Sequence, residues 1–314
     1  MLRRVHLRGA DPRLAARAAA VGLTLAVGVT ACGGSGGQDS SKALSAVKSA
    51  YEQTTGAETV KISLTGKRQQ GSKSPAPAGQ QSQKITGSAS LNYKDDESVT
   101  LIDSAGPTTS ETRTIGNALY RKVPKQQRQT VPGKKPWIKI DLKKIAKSQY
   151  GKQASDVTDN PPSDPAGVLM YLRGVVSATA KGTQSIDGTE TTQYSTKVNV
   201  VKAAKKQGPQ AERQAKGLKQ QLGKATMSMQ VWLDSQNRVR RLKTTLPGGS
   251  PKSPGITVTE NFHDYGASVK VDAPSGSKTA DVTKQVLMQQ KMRQRMQQQR
   301  QQQQQGSPPA SPSS

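Results

Sequence analysis

The sequence predicts an antiparallel α+β fold, and three observations carry the prediction. Met227, Met229, Val231 and Leu233 alternate with Thr226, Ser228, Gln230 and Trp232, the period of a half-buried strand. Two dipeptides, Gly116-Asn117 and Asp187-Gly188, interrupt stretches of strand-forming residues, as tight hairpin turns require. A few segments instead repeat apolar residues at helical spacing. Hairpins in series with two or three helices make an antiparallel α+β domain.

The elements follow in chain order. Residues 41–54 read as a helix, because Leu44, Val47, Ala50 and Tyr51 share one stripe. Val60, Ile62 and Leu64 then alternate with Lys61, Ser63 and Thr65 as a strand. Residues 67–83, with Gly71-Ser72, Pro75 and Pro77, read as an exposed loop. Ile85, Gly87, Ala89, Leu91 and Tyr93 give a second strand and residues 99–102 a third. Residues 115–120 read as a hairpin tip and Trp137 to Asp141 as a further strand. Asp164-Pro165 carries a helix start signal, an N-cap followed by proline in the first turn. Val168, Leu169, Leu172, Val175 and Val176 are the expected buried face of that helix. Residues 182–201 read as a hairpin centred on Asp187-Gly188, and 202–222 as a peripheral Lys/Gln/Ala-rich helix. After the strand at 226–233, Asp234-Ser235-Gln236-Asn237 turns the chain into 238–242. Strands near 256–262 and 268–271 close the body before Pro274. The tail from Gln285 is glutamine-rich, which favours disorder. Met288, Met292 and Met296 lie four apart among Lys291, Arg293 and Arg295, so a short basic helix on a membrane stays open.

The N-terminus sets the compartment. Arg3, Arg4, Arg8, Arg13 and Arg17 precede an apolar run that ends in small residues and Cys32, the layout of an export signal. The run is shorter than the roughly 20 apolar residues that span a bilayer. Val29-Thr30-Ala31-Cys32 resembles the bacterial lipobox, in which a signal peptidase cuts before a diacylglyceryl cysteine. Cys32 is the one cysteine of the chain, so an intrachain disulfide or cysteine metal cluster is excluded. The expected organisation is a signal over 1–31, a Gly/Ser tether over 32–40, the body over 41–283 and the tail over 284–314. The expected location is the outer face of the cell membrane, held by acylated Cys32.

Charge and chemistry narrow the function. Residues 1–31 carry five arginines and one aspartate, so their removal lowers the net charge from +26 to +22. Arg121 to Lys147 holds ten Lys or Arg against the single acid Asp141. Such a field favours anionic headgroups or wall polymers. Export and the lack of aromatics spaced for base stacking argue against nucleic acid. Catalysis has little to stand on. His6 leaves with the signal and His263 alone remains; no nucleophile elbow, zinc spacing, calcium loop or phosphate-binding glycine motif occurs. Asp95-Asp96-Glu97 reads as a solvated turn. Neither an enzyme, a cofactor nor a metal is expected.

Several stretches together resemble the LppX/LprAFG lipoproteins of actinobacteria and, more distantly, the LolA/LolB lipoprotein carriers. They are the lipobox, Ala118-Leu119-Tyr120, Pro136-Trp137-Ile138-Lys139-Ile140, and Ile186-Asp187-Gly188-Thr189-Glu190 running into Tyr194. To these add Val231-Trp232-Leu233-Asp234 leading to Arg238-Val239-Arg240, and Phe262-His263-Asp264-Tyr265-Gly266 before Val269-Lys270-Val271. The resemblance implies one strongly curved antiparallel sheet, a half-barrel, with helices covering its concave face and an acyl-binding gap between them. Leu169, Leu172, Met227, Met229 and Val231 are the candidate lining, although a Met-Met-Val-Leu stripe is more often packed core than ligand lining. Two functions follow. One is a lipoprotein that binds or transfers a phospholipid, glycolipid or other apolar ligand. The other is an envelope interaction or sensory module with a filled core, binding a protein or anionic wall polymer.

Overall fold

The computed structural model describes residues 36–68, 84–95, 97–103, 109–150, 167–206, 209–246 and 255–305. The export signal, Cys32, the tip of the 67–83 loop and Asp164-Pro165 lie outside these residues. Residues 36–314 form one compact unit by themselves.

Helix α1 (Gly36–Thr55) precedes six strands: β1 (Thr59–Arg68), β2 (Lys84–Asn92), β3 (Glu97–Asp103), β4 (Thr109–Ile115), β5 (Ala118–Lys122) and β6 (Trp137–Asp141). Helix α2 (Leu142–Tyr150) and a 3-10 turn (Leu169–Gly174) lead to β7 (Val175–Ile186) and β8 (Thr189–Asn199). Helices α3 (Val200–Lys205) and α4 (Pro209–Leu222) precede β9 (Thr226–Leu233), β10 (Val239–Leu246) and β11 (Ile256–His263). The chain ends its described course with β12 (Thr279–Asp281) and α5 (Thr283–Gln305).

These strands form one sheet in the order β12-β6-β5-β4-β3-β2-β1-β11-β10-β9-β8-β7. Every neighbouring pair is antiparallel except β12 with β6. Because β7 and β12 stay apart, the sheet is curved and unclosed. Register shifts at Val239/Arg241 and twice in β7 add local twist to the sheet. Helix α1 lies over β7, β9 and β10 and touches the 3-10 turn, which in turn meets α3. Ala43, Val47 and Ala50 from α1 join Ile62, Leu172, Val198, Met229, Leu242 and Phe262 in the main core.

The expected helices and strands shift in informative ways. Helix α1 begins at Gly36, inside the expected tether. In place of the predicted helix through Val175 and Val176 a 3-10 turn ends at Gly174, where only glycine fits: a Cβ there would lie 2.4 Å from the Asn199 carbonyl oxygen and 2.7 Å from Ala203 Cβ. Val175 and the exposed Val176 therefore start β7, where β-branched residues fit. The Asp187-Gly188 turn is confirmed, with φ of 48° and 78°, the paired positive values of a tight hairpin. The 202–222 helix is two helices. Asn199 caps the first by accepting from the Lys202 N–H at 2.9 Å, and Pro209 opens the second.

Residues 268–271 form no strand. They belong to an extended strap between β11 and β12, which stand on either side of the six strands β1 to β6. Arg113 Nη1 on β4 donates to the Asp272 carbonyl at 2.6 Å. Arg113 pairs across with Val99 and Tyr120, on the face away from α1, so the strap crosses the convex side. Alternation arises because Val271 turns toward the sheet while Ser268 and Lys270 face solvent. The tail expected to be disordered is helix α5 as far as Gln305.

Candidate functional site

The registers define what the concave face offers. Paired residues share a face, so three rows can be read across the sheet. One runs Phe262, Ile62, Ala89, Thr100, Thr112, Arg121, Ile138. A second runs Val60, Leu91, Ser98, Thr114, Leu119, Ile140. A third runs Val231, Leu242, Glu260, Leu64, Gly87, Ile102, Ser110. Each row begins apolar; the first two meet hydroxyl side chains at β3 and β4, and the third keeps Ile102 at β3 and meets Ser110 at β4.

Leu169, Leu172, Met227, Met229 and Val231 lie in one buried cluster with α1 side chains. In the described residues they are core. The partly covered part of the concave face lies beyond them, where Leu64, Ile85, Ile102, Ile256 and Val258 are half-buried. Glycines flatten this floor. A Cβ at Gly87 would lie 2.7 Å from Ile102 Cδ1, and one at Gly66 would lie 3.1 Å from Ile256 Cδ1. The flanking isoleucines therefore lie across both positions and make a continuous apolar strip. Beside it stands a belt of hydroxyls, of which Thr100, Ser110 and Thr112 are half-buried while Ser98 and Thr114 are buried. An apolar strip bordered by hydroxyls can take a molecule with a hydrocarbon part and a polar end.

Sequence reasoning missed both the strip and the belt. The strip's signal was present, because Ile256, Val258, Glu260 and Phe262 share one strand face. Glu260 stands buried in that apolar stripe, which is itself unusual for a carboxylate. The belt had no such signal, since threonines and serines alternating with charges lack hydrophobic periodicity.

A polar network ties α1 to the sheet beside the main core. Buried Asp234 accepts from the backbone N–H of Gln236 and Arg238 and from the Nε of Arg238 and Arg240, at 2.9 to 3.0 Å. Burial alone would raise its pKa. Hydrogen bonds from the Arg238 backbone and side chain, and that arginine's charge, outweigh it and hold the carboxyl below its ordinary value. Both guanidinium groups stack on Tyr265, at 4.8 and 4.9 Å from the ring centre. The Tyr265 hydroxyl donates to the Val239 carbonyl, and Thr54 of α1 accepts from the Val239 N–H at 2.9 Å. Burial pushes the Tyr265 pKa up. The Leu-Asp and Arg-Val-Arg stretches are thus a lock between helix and sheet. Next to it opens a polar cavity of about 490 Å3, lined by Gln53, Gly56, Ala57, Gln236, Asn237 and Arg238. It lies away from the apolar strip and has none of its character.

His263 Nδ1 lies 3.4 Å from Asp264, at the end of β11. Asp95 accepts from Asn92 Nδ2 at 2.9 Å, so this part of the acidic turn is structural. Among the described residues no three His, Cys, Asp or Glu side chains gather as metal ligands, and no helix is long and apolar enough to cross a membrane.

No protein-family model matches the chain, and no curated protein does. Solved structures do resemble it. LprF from Mycobacterium bovis shares 13% identity over 76% of this chain and 99% of its own, with a TM-score of 0.45. The Mycobacterium tuberculosis lipoprotein LppX shares 16% over 74% of this chain and 99% of its own, at 0.44. A LolA superfamily protein from Nitrosomonas europaea shares 12% over 76% and 97%, at 0.26. At such values the likeness assigns no residue a role, and the fold stands on the strand order and registers above.

Proposed function

We propose that the chain is an exported lipoprotein, acylated at Cys32, that holds the acyl part of a phospholipid or glycolipid on its concave face. The observation that carries this reading is the half-buried apolar strip of Leu64, Ile85, Ile102, Ile256 and Val258 beside the hydroxyl belt. Leaving water for that strip favours a hydrocarbon chain by about 25 cal/mol per Å2 buried, while the half-buried Thr100, Ser110 and Thr112 of the belt accept or donate hydrogen bonds to an ester or sugar. LppX and LprF, similar in fold, point the same way by kind; the lipobox supports the location. A second reading, a non-enzymatic envelope interaction module, draws on the filled cluster around Leu169, Leu172, Met227, Met229 and Val231 and on the polar cavity by Arg238.

The deciding experiment is native mass spectrometry with lipid extraction on residues 36–314 purified from a bacterial host. The expected result is a bound species of lipid mass that disappears in a folded Leu64→Arg variant. A body that carries no lipid and takes up no added phosphatidylglycerol or glycolipid would leave the interaction module.

A further inference from the structure

Helix α5 repeats methionine every four residues, and after Leu287 it has no other large apolar residue. Met288, Met292 and Met296 are 53%, 64% and 50% exposed. Steps of four advance about 40° around a helix, so the three side chains form a stripe under a quarter-turn wide. By the same geometry Lys284, Lys291 and Arg295 border one side of the stripe and Arg293 the other. The helix contains no acid.

The start of α5 is fixed to the body. Val282 N–H donates to the Lys139 carbonyl at 3.0 Å, Thr283 Oγ1 accepts from the Asp141 N–H at 2.9 Å, and the helix packs on α2 and β6. From Lys291 onward the described side chains are exposed. Helix α2 adds exposed Lys143, Lys144 and Lys147 beside it. An exposed thioether stripe rimmed by cations on a rigidly rooted helix is unfavourable in water and complementary to an anionic bilayer surface. There methionines enter the acyl boundary and the cations meet phosphates.

We infer that α5 is a membrane-docking helix, with the surface of an anionic phospholipid bilayer as its occupant. It lies in the headgroup layer with Met288, Met292 and Met296 inserted. Docking of this kind orients the body, which a single acylated cysteine at the other end of the chain cannot do alone. This inference is independent of whether the concave face holds a lipid.

The test uses residues 36–314, which form one unit and lack Cys32, in flotation with vesicles of phosphatidylcholine alone or mixed with phosphatidylglycerol. Binding to the mixed vesicles is expected to fall about tenfold in M288S/M292S/M296S, which keeps every charge. It is expected to fall about fivefold per cation removed in K291Q/R295Q. A dye on Met292→Cys, the only thiol of that protein, is expected to shift to the blue with mixed vesicles alone. Equal flotation of the triple-serine variant overturns the inference, since the basic body would then account for binding. So does a dye shift that follows protein concentration without vesicles, which would assign the stripe to a second copy.

Discussion

Under α1 the sheet buries Ile62, Met229, Leu242 and Phe262 almost completely, whereas on the same face β3 and β4 present Ser98, Thr100, Ser110, Thr112 and Thr114. The second region turns its main stabilising contacts to the convex side. There Trp137 is buried beneath Arg113 and Lys122, whose charged groups lie 5.0 and 5.9 Å from the ring centre. Glu111 binds both, at 2.7 Å to Arg113 and 3.0 Å to Lys122. Burial opposes ionisation of Glu111, yet the hydrogen bonds and charges of these two cations keep its pKa lowered. The strap at Asp272 accepts from the same Arg113. One sheet is thus held on its inner side at one end and on its outer side at the other. The difference leaves Thr100, Ser110 and Thr112 half-buried on the inner side of the second region.

The comparison breaks first at its strongest point. Replacing Phe262 by alanine is expected to cost about 4 kcal/mol, because the ring is enclosed by β1, β11 and the helices. Denaturant unfolding measures it, and a loss under about 1 kcal/mol would mean the region under α1 is not the main core. Asp234→Ala is expected to cost about 3 kcal/mol, since Arg238 and Arg240 would keep their half-buried positions without a counter-charge. Its acid response has a definite sign. The folded pKa lies below the unfolded value near 4, so the stabilisation is complete above that value. It is lost as pH falls toward the folded pKa. The wild-type protein should therefore lose stability below about pH 4 more steeply than the alanine variant. Parallel pH curves would remove Asp234 from the account.

Trp137→Ala tests the other region and is expected to cost about 2 kcal/mol, with part of the loss screened away in high salt because the flanking contacts are cationic. A salt-independent loss as large as that of Phe262 would erase the distinction between the two regions.

Legibility in the sequence follows the same division. Strands under the helices carry one apolar face and one polar face, so β1, β2 and β9 show plain alternation. The turn from β9 to β10 is set by Asn237, at a φ of 57°. Strand β4, Thr109–Ile115, escaped because it reads Thr-Ser-Glu-Thr-Arg-Thr-Ile. One face gives hydroxyls to the belt and the other gives Glu111 and Arg113 to the cluster over Trp137, so neither face is hydrophobic. Strand β12 is three residues long and pairs in parallel with β6, a contact that depends on the strap and leaves no local signature. The strap itself imitates a strand because an extended chain lying on a sheet has the same two-sided pattern. Of the site, the sequence pointed to the apolar cluster that became core. It gave the strip as an ordinary strand face, since partial cover is a property of where α1 ends.

The smallest expected stability effect discriminates most about function. Thr100 and Thr112 are cross-strand partners at the middle of the belt, and both are half-buried. Changing both to valine preserves shape and β-branching while removing two hydroxyls. If the belt serves only the fold, the hydroxyls contribute little and unfolding should move by less than about 1 kcal/mol, with any bound lipid unchanged. If the belt meets the polar end of a ligand, stability should still hold within that limit. The recovered lipid should then change, with species bearing hydrogen-bonding headgroups depleted relative to plain fatty acids. Buried polar partners discriminate by what they lose when left unpaired, so selectivity is the quantity this pair of threonines should control. An unaltered lipid profile at unaltered stability would separate the belt from the ligand and confine binding to the isoleucine strip.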